Sequence, residues 1–139
     1  MNSLGERPAE VDEILAAADP RYVGFELDIA HYLQGGGDPV KAIERHADRL
    51  LFLHIKDVES TAAGSGGSGG SRGYRFVELG RGRVDVKGVF AALRDVKFKG
   101  WAVVELDAVP DNARTPKESA LINRKYLEDI GIQVGETKT

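Results

Sequence analysis

Hydrophobic and polar positions along this chain follow two periods in turn. Three stretches, 22–28, 49–57 and 101–107, are apolar runs of strand length that end in ionisable residues. Runs of this kind, rich in Val, Leu and Ile, are the pattern of parallel strands covered on both faces. Between them the spacing lengthens to that of helices. Val11, Ile14, Leu15 and Ala18 predict an amphipathic helix over 8–18, stopped by Asp19-Pro20. Asp38-Pro39 supplies an N-cap and a first-turn proline for a second helix carrying Val40, Ile43 and Ala47. Val89, Phe90 and Leu93 mark a third over about 86–96, and Thr115-Pro116-Lys117-Glu118 opens a fourth that runs to about Ile130, before Gly131.

Strand, loop, helix, strand is a βαβ unit, and its repetition predicts an α/β fold with a parallel sheet, open or part of a barrel. Alternation within the strands puts Tyr22, Gly24, Glu26 and Asp28 on one face. It likewise groups Leu50, Phe52, His54 and Lys56, and then Trp101, Val103, Glu105 and Asp107. The glycine-containing stretch 29–37 reads as a loop, and 75–79 as a short strand before Gly80-Arg81-Gly82. The Gly/Ser segment 60–73 has the composition of a flexible loop, and 135–139 of a frayed tail. The whole of 1–139 is expected to form a single domain.

Composition narrows the possible chemistry. The chain has 139 residues, 42% of them hydrophobic, enough to bury a core. Its 19 basic and 22 acidic residues are mixed along its length, which gives no reason to expect nucleic acid or a membrane surface as partner. Cysteine is absent, so any metal must be held by oxygen and nitrogen ligands. With no apolar h-region and no run long enough to span a bilayer, the expected location is the cytoplasm.

In parallel α/β folds, function lies at the C-terminal ends of the strands. Asp28, His54 and Glu105 all fall there, each on its own strand. Two carboxylates and an imidazole suit a divalent cation such as Mn, Mg, Co or Zn. Each residue has a plainer alternative: Asp28 as a helix cap, His54 as a hydrogen-bonded core histidine, Lys56 and Asp57 as a solvated pair, His31 as a loop cap. It is the matching placement on three strands that favours coordination. His46 reads as a surface residue, and Trp101 and Phe52 as core.

A resemblance adds to this. Asp19-Pro-Arg-Tyr-Val-Gly-Phe-Glu-Leu-Asp28-Ile-Ala-His31, Gly36-Gly-Asp-Pro39, Arg49 to His54-Ile-Lys-Asp57, Glu78-Leu-Gly-Arg-Gly82 and Gly100-Trp-Ala-Val-Val-Glu105-Leu-Asp107 resemble the C-terminal half of xylose-isomerase-like TIM barrels. Among these the chain is most similar to the sugar phosphate isomerase/epimerase and inosose dehydratase branch. The resemblance implies a (β/α)₈ barrel with a metal held by four side chains, three of which match Asp28, His54 and Glu105. It also implies that His31 and Lys56 contact substrate oxygens and that Glu105 takes part in proton transfer. The implied chemistry is proton abstraction through a metal-stabilised enediolate.

The fourth ligand, a glutamate, belongs to a strand upstream of the first helix here. A full barrel takes about 250 residues, so the chain matches half of one. A half barrel has unpaired strand edges, and the expected remedies are self-association or a complementary N-terminal half-barrel chain. Glu26 is an unusual inward carboxylate, either compensating for the missing ligand or marking relaxed constraint. The expected function is therefore an isomerase, epimerase or dehydratase acting on a small-molecule sugar or cyclitol. The alternatives are a noncatalytic half-barrel binding module and, more remotely, an AP-endonuclease-like nuclease, against which the lack of a basic surface counts.

Overall fold

The computed structural model describes residues 5–61 and 73–133. Most of the expected Gly/Ser loop and the expected frayed tail lie outside these residues. By its internal contacts the chain divides into two compact units. The first comprises the described chain up to Ile55 together with Val84–Glu105; the second comprises the described part of Lys56–Arg83 and the chain from Leu106.

The first unit is built on a three-stranded parallel sheet of order β1 (Phe25–Asp28), β2 (Leu50–Ile55), β5 (Trp101–Val104). Its helices are α1 (Pro8–Ala17), α2 (Ile29–Gln34), α3 (Pro39–Arg45) and α4 (Val86–Asp95). The core gathers Val11, Leu15, Phe25, Leu27, Ile43, Leu53, Ile55 and Val89, the residues that the two periods mark as apolar. Pro8 and Pro39 open α1 and α3 at the first turn, where a missing N–H costs nothing. Arg49, just before β2, donates to the carbonyls of Leu15 (2.9 Å), Ala18 (3.4 Å) and Val23 (2.9 Å), fastening the end of α1 and the approach to β1 onto β2.

Four local expectations are corrected here. The stretch 29–37 is not all loop: the Asp28 carboxylate accepts from the backbone N–H of Ala30 (3.0 Å) and His31 (2.9 Å), nucleating α2. Leu50, grouped by alternation with Phe52 and His54, is instead buried like Leu53 and Ile55: the β1–β2 register skips Leu51, pairing Phe25 with Leu50 and Glu26 with Phe52, and Leu51 is left exposed. Trp101 is 75% exposed rather than core, because β5 ends the sheet and all four of its residues are exposed. His46 is buried rather than on the surface, edge-on to the Phe25 ring with Nε2 3.2 Å from Asp12.

The second unit holds an antiparallel pair, β3 (Asp57–Ser60) with β4 (Tyr74–Val77), and the helix α5 (Pro116–Asp129). The chain closes the pair with a hydrogen bond from Thr61 N–H to the Gly73 carbonyl (2.8 Å). Thr115 and Glu118 form a reciprocal capping box at the start of α5, as the sequence predicts. Lys56 and Asp57 are not a solvated pair: both are buried. Asp57 accepts from the N–H groups of Val58, Gly80 and Gly82 at 2.8–3.0 Å. Gly82 is required here, since a Cβ would lie 2.2 Å from the Asp57 carboxylate. The Gly-Arg-Gly turn is thus a cradle built around a buried aspartate.

Glu78, also buried, faces Arg114 (3.0 Å), Arg81 (3.3 Å) and the Ser119 hydroxyl, which donates at 2.9 Å. Burial pushes its pKa up. Its own backbone N–H, Ser119 and the two guanidinium groups outweigh that and hold the carboxyl below its ordinary range. No described helix is long and apolar enough to cross a membrane.

Candidate metal centre

The first unit brings Asp28, His54 and Glu105 together. Asp28 ends β1 and pairs in register with His54 on β2, while Val103 of β5 pairs with His54 from the other side. Glu105 follows β5, and its N–H donates to the Ile55 carbonyl (3.1 Å), extending the pairing by one residue. Three neighbouring strands therefore deliver one side chain each, Asp28 and His54 in register and Glu105 two residues beyond the partner of His54. Each offers one ligand atom, and the three atoms lie within 4.8 Å of one another.

His54 Nδ1 is the hub. It lies 3.2 Å from Glu105 Oε2, 3.3 Å from Glu26 Oε1 and 3.9 Å from Asp28 Oδ2. The Phe52 ring stands edge-on to the imidazole, with centroids 5.3 Å apart. All three members of the triad are half-buried, so they keep access to solvent while their strands fix their directions. Asp28 serves two purposes. Its Oδ1 caps α2, and its Oδ2 faces His54 and His31. The cap that the sequence offers as the plainer reading of Asp28 is present, and it leaves the same carboxylate directed at both imidazoles. Two carboxylates and one imidazole so disposed fit a divalent cation by donor type and by spacing.

A cavity of about 480 Å³ opens beside Asp28, His31 and His54, with an apolar wall from Ile14, Leu15, Phe25 and Tyr32. His31 sits between two carboxylates, with Nδ1 3.5 Å from Glu6 and Nε2 3.9 Å from Asp28. Glu6 escapes sequence reasoning because it precedes the first periodic segment and belongs to no strand end. Lys56 lies in the second unit, where its ammonium donates to Asp107 (3.0 Å) and stands 4.7 Å from the centre of the Phe76 ring. Asp107, at the end of the third apolar run, thus holds Lys56.

The chain belongs to the xylose isomerase-like TIM barrel family, whose sequence pattern it matches over residues 1–129. Two relatives are inosose dehydratases. That of Lactiplantibacillus plantarum is 34% identical over 125 residues, covering 86% of this chain and 41% of the relative, and that of Lacticaseibacillus casei is 31% identical over 126 residues, covering 86% and 42%. A solved structure, a sugar phosphate isomerase/epimerase from Parabacteroides distasonis, superposes with a TM-score of 0.66 at 26% identity, covering 86% of this chain and 36% of that one. The chain therefore spans less than half the length of the relatives it matches. Its parallel α/β fold fits a half barrel, as the sequence predicts.

Proposed function

We propose that this chain carries the metal-binding half of a sugar or cyclitol isomerase, epimerase or dehydratase. The observation that carries this reading is the convergence of Asp28, His54 and Glu105 within 4.8 Å at the ends of three adjacent parallel strands. A divalent cation held there would polarise a substrate carbonyl or hydroxyl and acidify the neighbouring C–H. Glu105, a ligand through one oxygen, is the group we assign to proton transfer. His31, steadied by Glu6, and Lys56, held by Asp107, are the proposed contacts to substrate oxygens. The apolar wall of the cavity suits the carbon skeleton of a ring. Inosose dehydratase relatives make a cyclitol the first substrate class to test.

The remaining wall is proposed to come from a complementary half-barrel chain or from a second copy, in a cytoplasmic setting. The sheet of the first unit ends on β1 and β5, and the outer residues of β5 include exposed Trp101, Val103 and Val104. Titration calorimetry with Mn²⁺ tests the reading, with Asp28→Ala and His54→Ala as controls and the mass in solution measured on the same sample. Saturable binding lost in both variants is the expected result, followed by dehydration or epimerisation in an inosose and sugar screen once the assembly is complete. Binding indifferent to both substitutions would leave a noncatalytic half-barrel module.

A further inference from the structure

We infer that the second unit holds a binding site for a phosphate monoester, in the cavity between the β3–β4 pair and the 110–114 loop; the site is independent of the metal centre proposed above. This cavity, of about 560 Å³, is walled by Arg75 on β4, Arg81 in the Gly-Arg-Gly turn and Arg114 just before α5. Guanidinium groups from three separated segments thus reach one space. Its volume accommodates a phosphate group together with a small molecule that carries it. Three carboxylates, Glu59, Glu78 and Asp111, line the same cavity, so the sum of charges does not choose the ligand.

The directions of the groups decide it. The Glu78 side chain is fully buried, and its oxygens face the Ser119 hydroxyl at 2.9 Å, Arg114 Nε at 3.0 Å and Arg81 Nη1 at 3.3 Å. Asp111 lies with Oδ2 3.0 Å from Arg114 Nη1, and its Oδ1 accepts from the Ala113 N–H at 2.9 Å. Arg75 gives Nε to Glu59 and Nη1 to the Pro110 carbonyl (3.4 Å). A guanidinium has more N–H groups than a carboxylate has lone pairs, and Glu78 and Asp111 spend some of theirs on Ser119 and Ala113. Donors are therefore in excess at this wall. The exposed ones lie on Arg75 and Arg81, whose side chains are 47% and 45% accessible against 0% for Glu78. A carboxylate ligand is planar and is matched by one guanidinium fork, whereas a phosphate monoester brings more charge and three acceptor oxygens that more than one guanidinium can meet. Glu78 holds Arg81 and Arg114 in place beforehand, which lowers the ordering cost of binding. The contact a phosphate competes with is the partly exposed Arg75–Glu59 pair, whose net value is small.

The test is titration of the chain with glycerol phosphate, followed through its backbone amide NMR signals at constant ionic strength, with acetate as the planar, singly charged control. Saturable shifts centred on Arg75, Arg81 and Arg114 are expected, with acetate binding at least about tenfold more weakly. Arg75→Gln and Arg81→Gln should each weaken phosphate binding about tenfold. Arg75 makes no contact with buried Glu78, so Arg75→Gln keeps the test decisive if Arg81→Gln fails to fold. Glu59→Gln, which removes the competing carboxylate, should tighten binding about two- to fivefold. Asp28→Ala should leave phosphate binding unchanged, which separates a failure here from a failure of the metal centre. Shifts that grow without saturating, or unchanged affinity in Arg75→Gln, would overturn the site. Equal affinity for acetate would overturn the phosphate and leave a simple carboxylate fork.

Discussion

The two units use carboxylates in opposite ways. In the second, Glu78 and Asp57 are buried, and their charge is met by guanidinium groups, a hydroxyl and three backbone N–H groups. In the first, Glu26, Asp28 and Glu105 are gathered around a single imidazole nitrogen, at half-exposed positions where like charges repel. An arrangement of the first kind stabilises the fold as it stands. An arrangement of the second kind would gain most from an added cation, as the proposed function requires.

The comparison breaks most visibly at Glu78. Glu78→Ala leaves Arg114 and Ser119 without their buried partner and is expected to cost about 3–5 kcal/mol of stability, read by urea unfolding. The pH dependence follows from the direction of its shift. With the folded-state pKa below the unfolded one, the stabilisation is complete above the ordinary carboxylate range and fades as pH falls through the folded value. Acid unfolding of Glu78→Gln should therefore be shallower than that of the unsubstituted protein. An equally steep acid limb would assign the effect to other groups.

In the first unit the largest expected effect needs added metal. At Mn²⁺ about 100-fold above its dissociation constant, stability should rise by about 2.7 kcal/mol, and His54→Ala should abolish the rise. A thermal melt with and without Mn²⁺ reads this directly. Without metal, Asp28→Ala is expected to lose about 1 kcal/mol through the α2 cap, whereas Asp28→Asn retains the cap and loses only the metal response. Equal behaviour of these two variants would deny the carboxylate its double use. The smallest effect is at Trp101: replacing it with Ser should change the stability of the isolated chain by less than about 0.5 kcal/mol. A larger loss that disappears on dilution would show that β5 is covered by another copy.

Asp28, His54 and Glu105 were legible in the sequence because strand period and strand end are one-dimensional signals. The parallel strands and the capped α5 were legible for the same reason. What escaped depends on three-dimensional neighbours. His46 is buried because Phe25 and Asp12 approach it from distant parts of the chain, and Trp101 is exposed because, among the described residues, no strand of its sheet lies beyond β5. Gly80-Arg81-Gly82 carried little meaning until Asp57, more than twenty residues earlier, was seen to be what it encloses. The short helix α2 was hidden because its six residues are too few to display a period, and its cap was already counted as a ligand. Glu6 reaches His31 from a segment without any pattern of its own.

The double use of Asp28 also bears on entropy. With Oδ1 fixed by two N–H groups of α2, the carboxylate cannot leave its rotamer without unwinding the first turn of that helix, and His31 rides on the same turn. The freedom of both side chains is largely given up when the chain folds, so little remains to be lost when a ligand arrives. A cation binding as proposed should therefore associate with little rearrangement of these two side chains, its rate set mainly by desolvation.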